Sequence, residues 1–203
     1  MATKYIIGID EVGRGPLAGP VATAAVLMKK TAYQRLKRLK IFQAGKDSKK
    51  LTVTERLFYF QKIKELKERG KLNYAVSFCR HTTIDKIGIV KSVARAINSN
   101  LVKLNPQPKA TLILLDGGLK APPVFFHQKT IIRGDERELI ISLASIAAKI
   151  TRDKKMIKLA EIFPSYDFAG NKGYGSKKHI AALKRHGPCE IHRQSYIKHF
   201  IRL

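Results

Sequence analysis

Residues 111–115 read Thr-Leu-Ile-Leu-Leu, a continuous apolar run that stops at Asp116-Gly117-Gly118. A strand with no polar face is buried on both sides, which calls for helices above and below a sheet with parallel pairing. Residues 5–10 form a second short apolar run. It ends in two acids, Asp10 and Glu11, and is closed by the glycine-rich segment from Gly13 to Gly19. Residues 20–28, 72–80 and 124–132 read as further strands, the last closed by Gly134-Asp135. Residues 31–42 read as a short basic helix, and residues 45–51 as a polar, basic loop. Residues 52–69 read as a helix, with Thr52 as N-cap and Glu55 three residues on. Ile84, Ile87, Val90, Val93, Ala94, Ile97 and Leu101 have helical spacing over residues 83–104, ahead of Pro106. Residues 138–152 read as a strongly apolar helix. From Pro164 onward Gly, Pro, Lys and His rise, as in a smaller helical or loop-rich appendage. Five strands interleaved with helices predict an α/β fold with helices on both faces of the sheet.

The charge balance points to the partner. Forty Lys and Arg against 15 Asp and Glu leave a formal charge of +25 on 203 residues. Self-repulsion of that size destabilises a compact state. A polyanion offsets it, and nucleic acid is the commonest one, although lysine-rich coding would give the same composition. Cys79 and Cys189 stand far apart without a C-x-x-C pair, so neither a disulfide framework nor a zinc ribbon is expected. A reducing, cytoplasmic setting fits that cysteine usage. The opening residues lack the apolar stretch of a signal peptide, and no run approaches a membrane span.

In so basic a chain the few acids are informative. Asp10 and Glu11 end the first strand, Asp116 ends the fourth, and Asp135 follows the fifth. Sites in open α/β sheets form at strand ends. Strands one and four, if adjacent and parallel, would set Asp10 beside Asp116. Clustered carboxylates repel unless a cation neutralises them, and oxygen-only ligands suit Mg²⁺ or Mn²⁺. Each acid taken singly also reads as a turn or cap residue. Three at strand ends point instead to a metal-dependent nuclease whose basic surface attracts phosphates.

From Ile9 to Val21 the chain reads Ile-Asp-Glu-Val-Gly-Arg-Gly-Pro-Leu-Ala-Gly-Pro-Val. This closely resembles the opening signature of type 2 ribonuclease H. Further matches follow in order: Asp47-Ser48-Lys49-Lys50-Leu51, Leu115-Asp116-Gly117, Gly134-Asp135, Ala144 to Lys149 with Arg152-Asp153, Gly173-Tyr174-Gly175, and His192-Arg193 with Ser195. They span nearly the whole chain. The resemblance implies a ribonuclease-H-like fold, a five-stranded mixed sheet flanked by helices. A catalytic domain would occupy residues 1–160, with a C-terminal substrate-binding extension over residues 161–203 packed on it.

The resemblance also implies an endonuclease with a role in ribonucleotide excision repair and DNA replication. It would hydrolyse the RNA strand of RNA·DNA hybrids and nick 5′ of ribonucleotides embedded in duplex DNA. Two metal ions would take part, and 5′-phosphate and 3′-hydroxyl ends would remain. Asp10, Glu11, Asp116 and Asp135 would be both the catalytic residues and the metal ligands, for Mg²⁺ or Mn²⁺. Gly13, Arg14 and Gly15 match a ribose-sensing loop, where small residues let the backbone reach a 2′-hydroxyl and Arg14 holds the adjacent phosphate. Tyr174 matches a tyrosine that stacks on the sugar after the ribonucleotide. Ser48 and Lys49 would bind substrate, and Lys50 reads equally as a solvated lysine. Asp153 reads as a cap or structural pair, Lys149 as packed or phosphate-facing, and His192-Arg193 as structural or backbone-binding. Val12 stands where the family often has alanine, and Glu136 where a small residue is common.

Two other classes fit less well. A basic nucleic-acid binder without catalysis fits the composition but not the acids. A transposase or junction resolvase of the same broad fold needs no ribose sensor. A monomer without membrane attachment is expected. At the C-terminus, Gln194, Ile197, Phe200 and Ile201 have the spacing of a sliding-clamp-binding peptide. The same residues also read as a packed C-terminal helix, and that reading is favoured here.

Overall fold

The computed structural model describes residues 3–39, 42 and 51–200. Strands β1 (Tyr5–Val12), β2 (Val21–Lys29) and β3 (Leu72–Cys79) form an antiparallel meander. On the other side of β1, β4 (Thr111–Asp116) and β5 (Gln128–Ile131) run parallel to it, giving the order β3-β2-β1-β4-β5. The helices are α1 (Lys30–Arg38), α2 (Val53–Glu68), α3 (His81–Leu104), α4 (Gly134–Arg137), α5 (Leu139–Ile162), α6 (Phe168–Asn171), α7 (Lys177–His186) and α8 (Gln194–Ile197).

Alternation along the strands divides the core. Ile6, Ala24, Val26 and Leu114 pack with Ile140, Leu143, Ala144 and Ala147 of α5 and with Phe60 and Ile63 of α2. Ile7, Ile9, Ala25, Ile113 and Leu115 pack with Ile84, Val93, Ile97 and Leu101 of α3. Both faces are thus covered, as the apolar run of β4 requires. Strand β1 and α5 approach closely because residue 8 is glycine. A Cβ there would stand 2.3 Å from the backbone carbonyl of Ile140. The predicted cap of α2 is present. The Thr52 hydroxyl accepts from the Glu55 N–H at 3.2 Å, and the Glu55 carboxylate accepts from the Thr52 N–H at 2.7 Å.

Three elements differ from the sequence reading. Strand β5 has four residues rather than nine. The Gln128 side chain is committed to the backbone of Ala121 and Phe125, while Val124 and Phe126 are exposed before the strand starts. Helix α3 is interrupted at Gly88, whose φ of 78° and ψ of 163° are not helical. Helix α5 runs ten residues past position 152. Its polar second half still has an apolar face, because Met156 is buried with Ala18, Tyr166, Phe168 and Ile191. That face packs on the C-terminal segment instead of on the sheet. Among the described residues, no helix is long and apolar enough to cross a membrane.

Candidate active site

Parallel pairing of β1 with β4 matches Ile9 to Leu115. The next residue on each strand is an acid, so Asp10 and Asp116 emerge at the same end of the sheet. Asp10, Glu11 and Asp116 each offer one oxygen, and these three oxygens lie within 4.8 Å of one another. Asp10 is buried, accepts from the Glu11 N–H at 2.7 Å and is hydrogen-bonded by Ser145. Asp116 Oδ1 accepts from the Gly134 N–H at 2.6 Å.

Burial pushes the Asp10 carboxyl well above its ordinary value, and the charges of Glu11 and Asp116 push it further. Burial likewise raises Glu11, opposed by the Arg14 guanidinium. The Arg14 contact is 3.4 Å, and it engages only one oxygen. The other, Glu11 Oε2, is buried with no hydrogen-bond partner. Three crowded carboxylates and an orphaned oxygen fit a hard divalent cation that takes oxygen ligands. Asp135 is buried in the first turn of α4, next to the glycine that holds Asp116, and is not one of the three convergent acids.

The loop after β1 is held from behind by two arginines that are fully buried. Arg193 donates to the carbonyls of Gly13 and Arg14, both at 2.7 Å, and of Gly19 at 3.0 Å. Arg152 Nε donates to the Pro20 carbonyl at 2.9 Å. Gly13 has a φ of 89°, and a Cβ there would lie 2.2 Å from Arg152 Nε. Both its conformation and its neighbour require glycine. Gly15 has open space in front of it, and the Arg14 side chain is exposed.

Tyr174 joins this loop to the acids. It lines a cleft of about 500 Å³ together with Asp10, Glu11, Asp116, Ser145 and Lys149. Its ring lies 5.8 Å from the Arg152 guanidinium. The preceding carbonyl, of Gly173, accepts from the Leu17 N–H at 2.8 Å. Lys149 pairs with Asp153 at 3.0 Å. The pair lies within α5, so Asp153 is a mid-helix partner and not a residue of the helix end.

Ser48, Lys49 and Lys50 lie outside the described residues. At the C-terminus, Ile197 is fully buried in a cluster with Leu17 and Leu183, and Phe200 packs against the same cluster. Ile201 also lies outside the described residues. Ser145 falls in the matched Ala144 to Lys149 segment but carries no role there, and Asp85, which accepts the Gln194 and Ser195 N–H groups at 3.0 Å each, has no counterpart in the sequence reading. Asp85 carries no local pattern, because its partners are about 110 residues away.

The ribonuclease HII family profile matches residues 7–199. The chain belongs to the ribonuclease HII family. A ribonuclease HII from Endomicrobium trichonymphae is 43% identical over 192 residues, which are 94% of this chain and 84% of that protein. One from Caldicellulosiruptor bescii is 40% identical over 200 residues, 98% of this chain and 90% of that one. Among solved structures, the ribonuclease HII of the Archaeoglobus fulgidus PCNA:RNase HII complex superposes with a TM-score of 0.73 at 22% identity. That match covers 94% of this chain and 93% of the other. Ribonuclease H2 from Pyrococcus horikoshii gives 0.68 at 24% identity, covering 98% and 100%. The fold is therefore ribonuclease-H-like, and the enzyme is a metal-dependent endonuclease of the ribonuclease H type.

Proposed function

We propose that this ribonuclease HII hydrolyses the RNA strand of RNA·DNA hybrids and nicks duplex DNA on the 5′ side of embedded ribonucleotides, leaving 5′-phosphate and 3′-hydroxyl ends. The observation that carries the reading is the single cleft lined by Asp10, Glu11, Asp116 and Tyr174. It sets a cation-binding acidic cluster beside an aromatic face suited to a sugar. Asp10, Glu11, Asp116 and Asp135 act as the metal ligands. Two bound Mg²⁺ or Mn²⁺ ions would supply an activated water and charge neutralisation at the leaving oxygen. A structurally similar ribonuclease HIII, 19% identical with a TM-score of 0.63, was solved in complex with Mn²⁺.

The protein's own groups do the selecting. Gly13 and Gly15 bring main-chain groups up to the 2′-hydroxyl, which only a ribonucleotide carries. Arg14 takes the neighbouring phosphate, and Tyr174 stacks on the sugar that follows. Ser48 and Lys49 hold the backbone further along. Residues 161–203 serve as the substrate-binding extension, since they supply both Tyr174 and the Arg193 that shapes the loop.

The test is cleavage of a labelled DNA duplex containing one ribonucleotide, with Mg²⁺, Mn²⁺ or EDTA. An all-DNA duplex, a long hybrid and Asp10→Asn are the controls. A single metal-dependent nick 5′ of the ribonucleotide, lost in the variant, supports the reading. Cleavage of the hybrid alone removes the role of Gly13 to Gly15, and binding without cleavage returns the passive binder. The protein acts as a monomer. A sliding-clamp contact, as in the Archaeoglobus complex, would draw here on residues beyond the buried Ile197. Clamp capture after deletion of residues 201–203 measures it.

A further inference from the structure

Two histidines outside the acidic cluster are fully buried: His179 on α7, and His192 just ahead of α8. Their shortest hydrogen bonds set one direction. The Cys189 N–H can only donate, and it lies 2.9 Å from His192 Nδ1. The Cys189 carbonyl lies farther from the same nitrogen, at 3.3 Å, so the shorter contact makes Nδ1 the acceptor and a neutral His192 carries its proton on Nε2. His192 Nε2 stands 3.0 Å from His179 Nε2, which must then accept. A neutral His179 thus has its proton on Nδ1, and Nδ1 lies 2.8 Å from the carbonyl of Tyr174. The rings of Tyr166 and Phe168 pack around the pair, 4.9 Å from His192 and 5.2 Å from His179 respectively. Burial holds both imidazoles below their ordinary value, His192 at about 4, so both are neutral at neutral pH. The three groups are not a metal centre. Cys189 Sγ meets His192 on its Nδ1 side, while the histidines face each other through Nε2.

We propose that His179 and His192 are positioning residues for Tyr174, a directional relay from the Cys189 N–H to the Tyr174 carbonyl that sets selectivity for an isolated ribonucleotide. This rests on the reading of Tyr174 as the sugar-stacking sensor. The Tyr174 side chain is half-exposed and has no hydrogen bond of its own among the described residues, so its place in the cleft depends on its backbone and on the Arg152 guanidinium 5.8 Å from its ring. That backbone is pinned at three points. Its N–H donates to the Asn171 carbonyl at 3.0 Å, and its carbonyl accepts from the Ser176 N–H at 2.8 Å and from His179. Of these three, only the last comes from outside the turn, and it acts beside the Leu17 N–H that holds the preceding Gly173 carbonyl. It couples the sensor to the 189–193 segment, whose Arg193 holds the Gly13–Gly19 loop.

The experiment compares kcat/KM for a duplex with one ribonucleotide and for a long RNA·DNA hybrid, in wild type, His179→Ala, His179→Asn, Tyr174→Ala and the Tyr174→Ala/His179→Ala double variant. The single-ribonucleotide to hybrid ratio should fall on the order of tenfold in His179→Ala, the scale of one positioned hydrogen bond. His179→Asn keeps a donor near the Nδ1 position and should recover most of the ratio. The double variant should be no worse than Tyr174→Ala, because placement ceases to matter once the ring is gone. If Tyr174→Ala leaves the ratio intact, the sensor reading itself has failed. If Tyr174→Ala loses the ratio while a folded His179→Ala keeps it, the relay is overturned. ¹⁵N spectra of histidine-labelled wild type need no variant. They should show Nδ1–H at His179 and Nε2–H at His192, and the opposite tautomer at either position overturns the proposal.

Discussion

At the scale of the residue, the acids and the buried histidines set opposite pH dependences. Asp10 has a raised pKa in the folded chain, so without metal its contribution favours the fold at low pH and is lost as pH rises through the folded value. Asp10→Asn should therefore abolish cleavage and yet raise the metal-free melting temperature, by about 2–4 °C for each kcal/mol of relieved repulsion. It should also shrink the rise in melting temperature on adding Mg²⁺, and a thermal-shift titration reads both effects. His192 behaves the other way. Its pKa falls from 6.5 to about 4 on folding, so the unfolded chain takes up the proton first as pH drops. Its stabilising contribution is present above 6.5 and disappears as pH falls toward about 4. The groups that bear on it are His179, His81 and Cys189, with the Tyr166 ring against its face. The stability advantage of wild type over His192→Gln should narrow over that interval, as thermal melts at a series of pH values will show. The convergence of Asp10, Glu11 and Asp116 was legible in the sequence because strand ends are where such groups collect; Asp135, placed beside them by the same reasoning, is not in that cluster. The histidine relay was not, because nothing local in residues 174–192 says which nitrogen faces which carbonyl.

At the scale of the element, the apolar run of β4, the acid-terminated β1 and the capping box of α2 announced themselves, since each is a local pattern. Thr52→Ala should cost about 1 kcal/mol in denaturant titrations, and because Arg56, one turn on from the cap, lines the cleft with the acids, cleavage should fall with it. What escaped was decided by tertiary contact. Helix α5 continues past Arg152 because Met156 finds a second core, and β5 is cut short because Gln128 is engaged by the Ala121 loop. Helix α5 approaches β1 closely near the site. Gly8→Ala forces a methyl group to within 2.3 Å of the Ile140 carbonyl, so β1 or α5 must move. Overpacking of this kind costs about 1–3 kcal/mol. Because Asp10 is two residues along the same strand, cleavage should fall more than the lost stability alone explains. Comparing kcat with the denaturation midpoint separates the two.

At the scale of the whole molecule, the +25 charge makes association with a polyanion an ionic-strength measurement. For roughly 6–10 phosphate contacts, affinity should drop about 10³–10⁵-fold between 50 and 200 mM salt. Binding titrations of Asp10→Asn, the variant expected to lose cleavage, will give the slope. A shallow slope would mean that most of the lysines face away from the substrate. The fold also joins distant parts of the chain. Arg193 reaches back 180 positions to the Gly13 carbonyl, and Ala18 bridges to His192. At ribosomal rates of about 5–20 residues per second, the loop waits roughly 10–40 s between its own synthesis and that of the arginine that shapes it. A nascent chain can thus complete β1 to β5 and gather its acids before the arginine that fixes the Gly13–Gly19 loop has been made, so the loop takes its shape last.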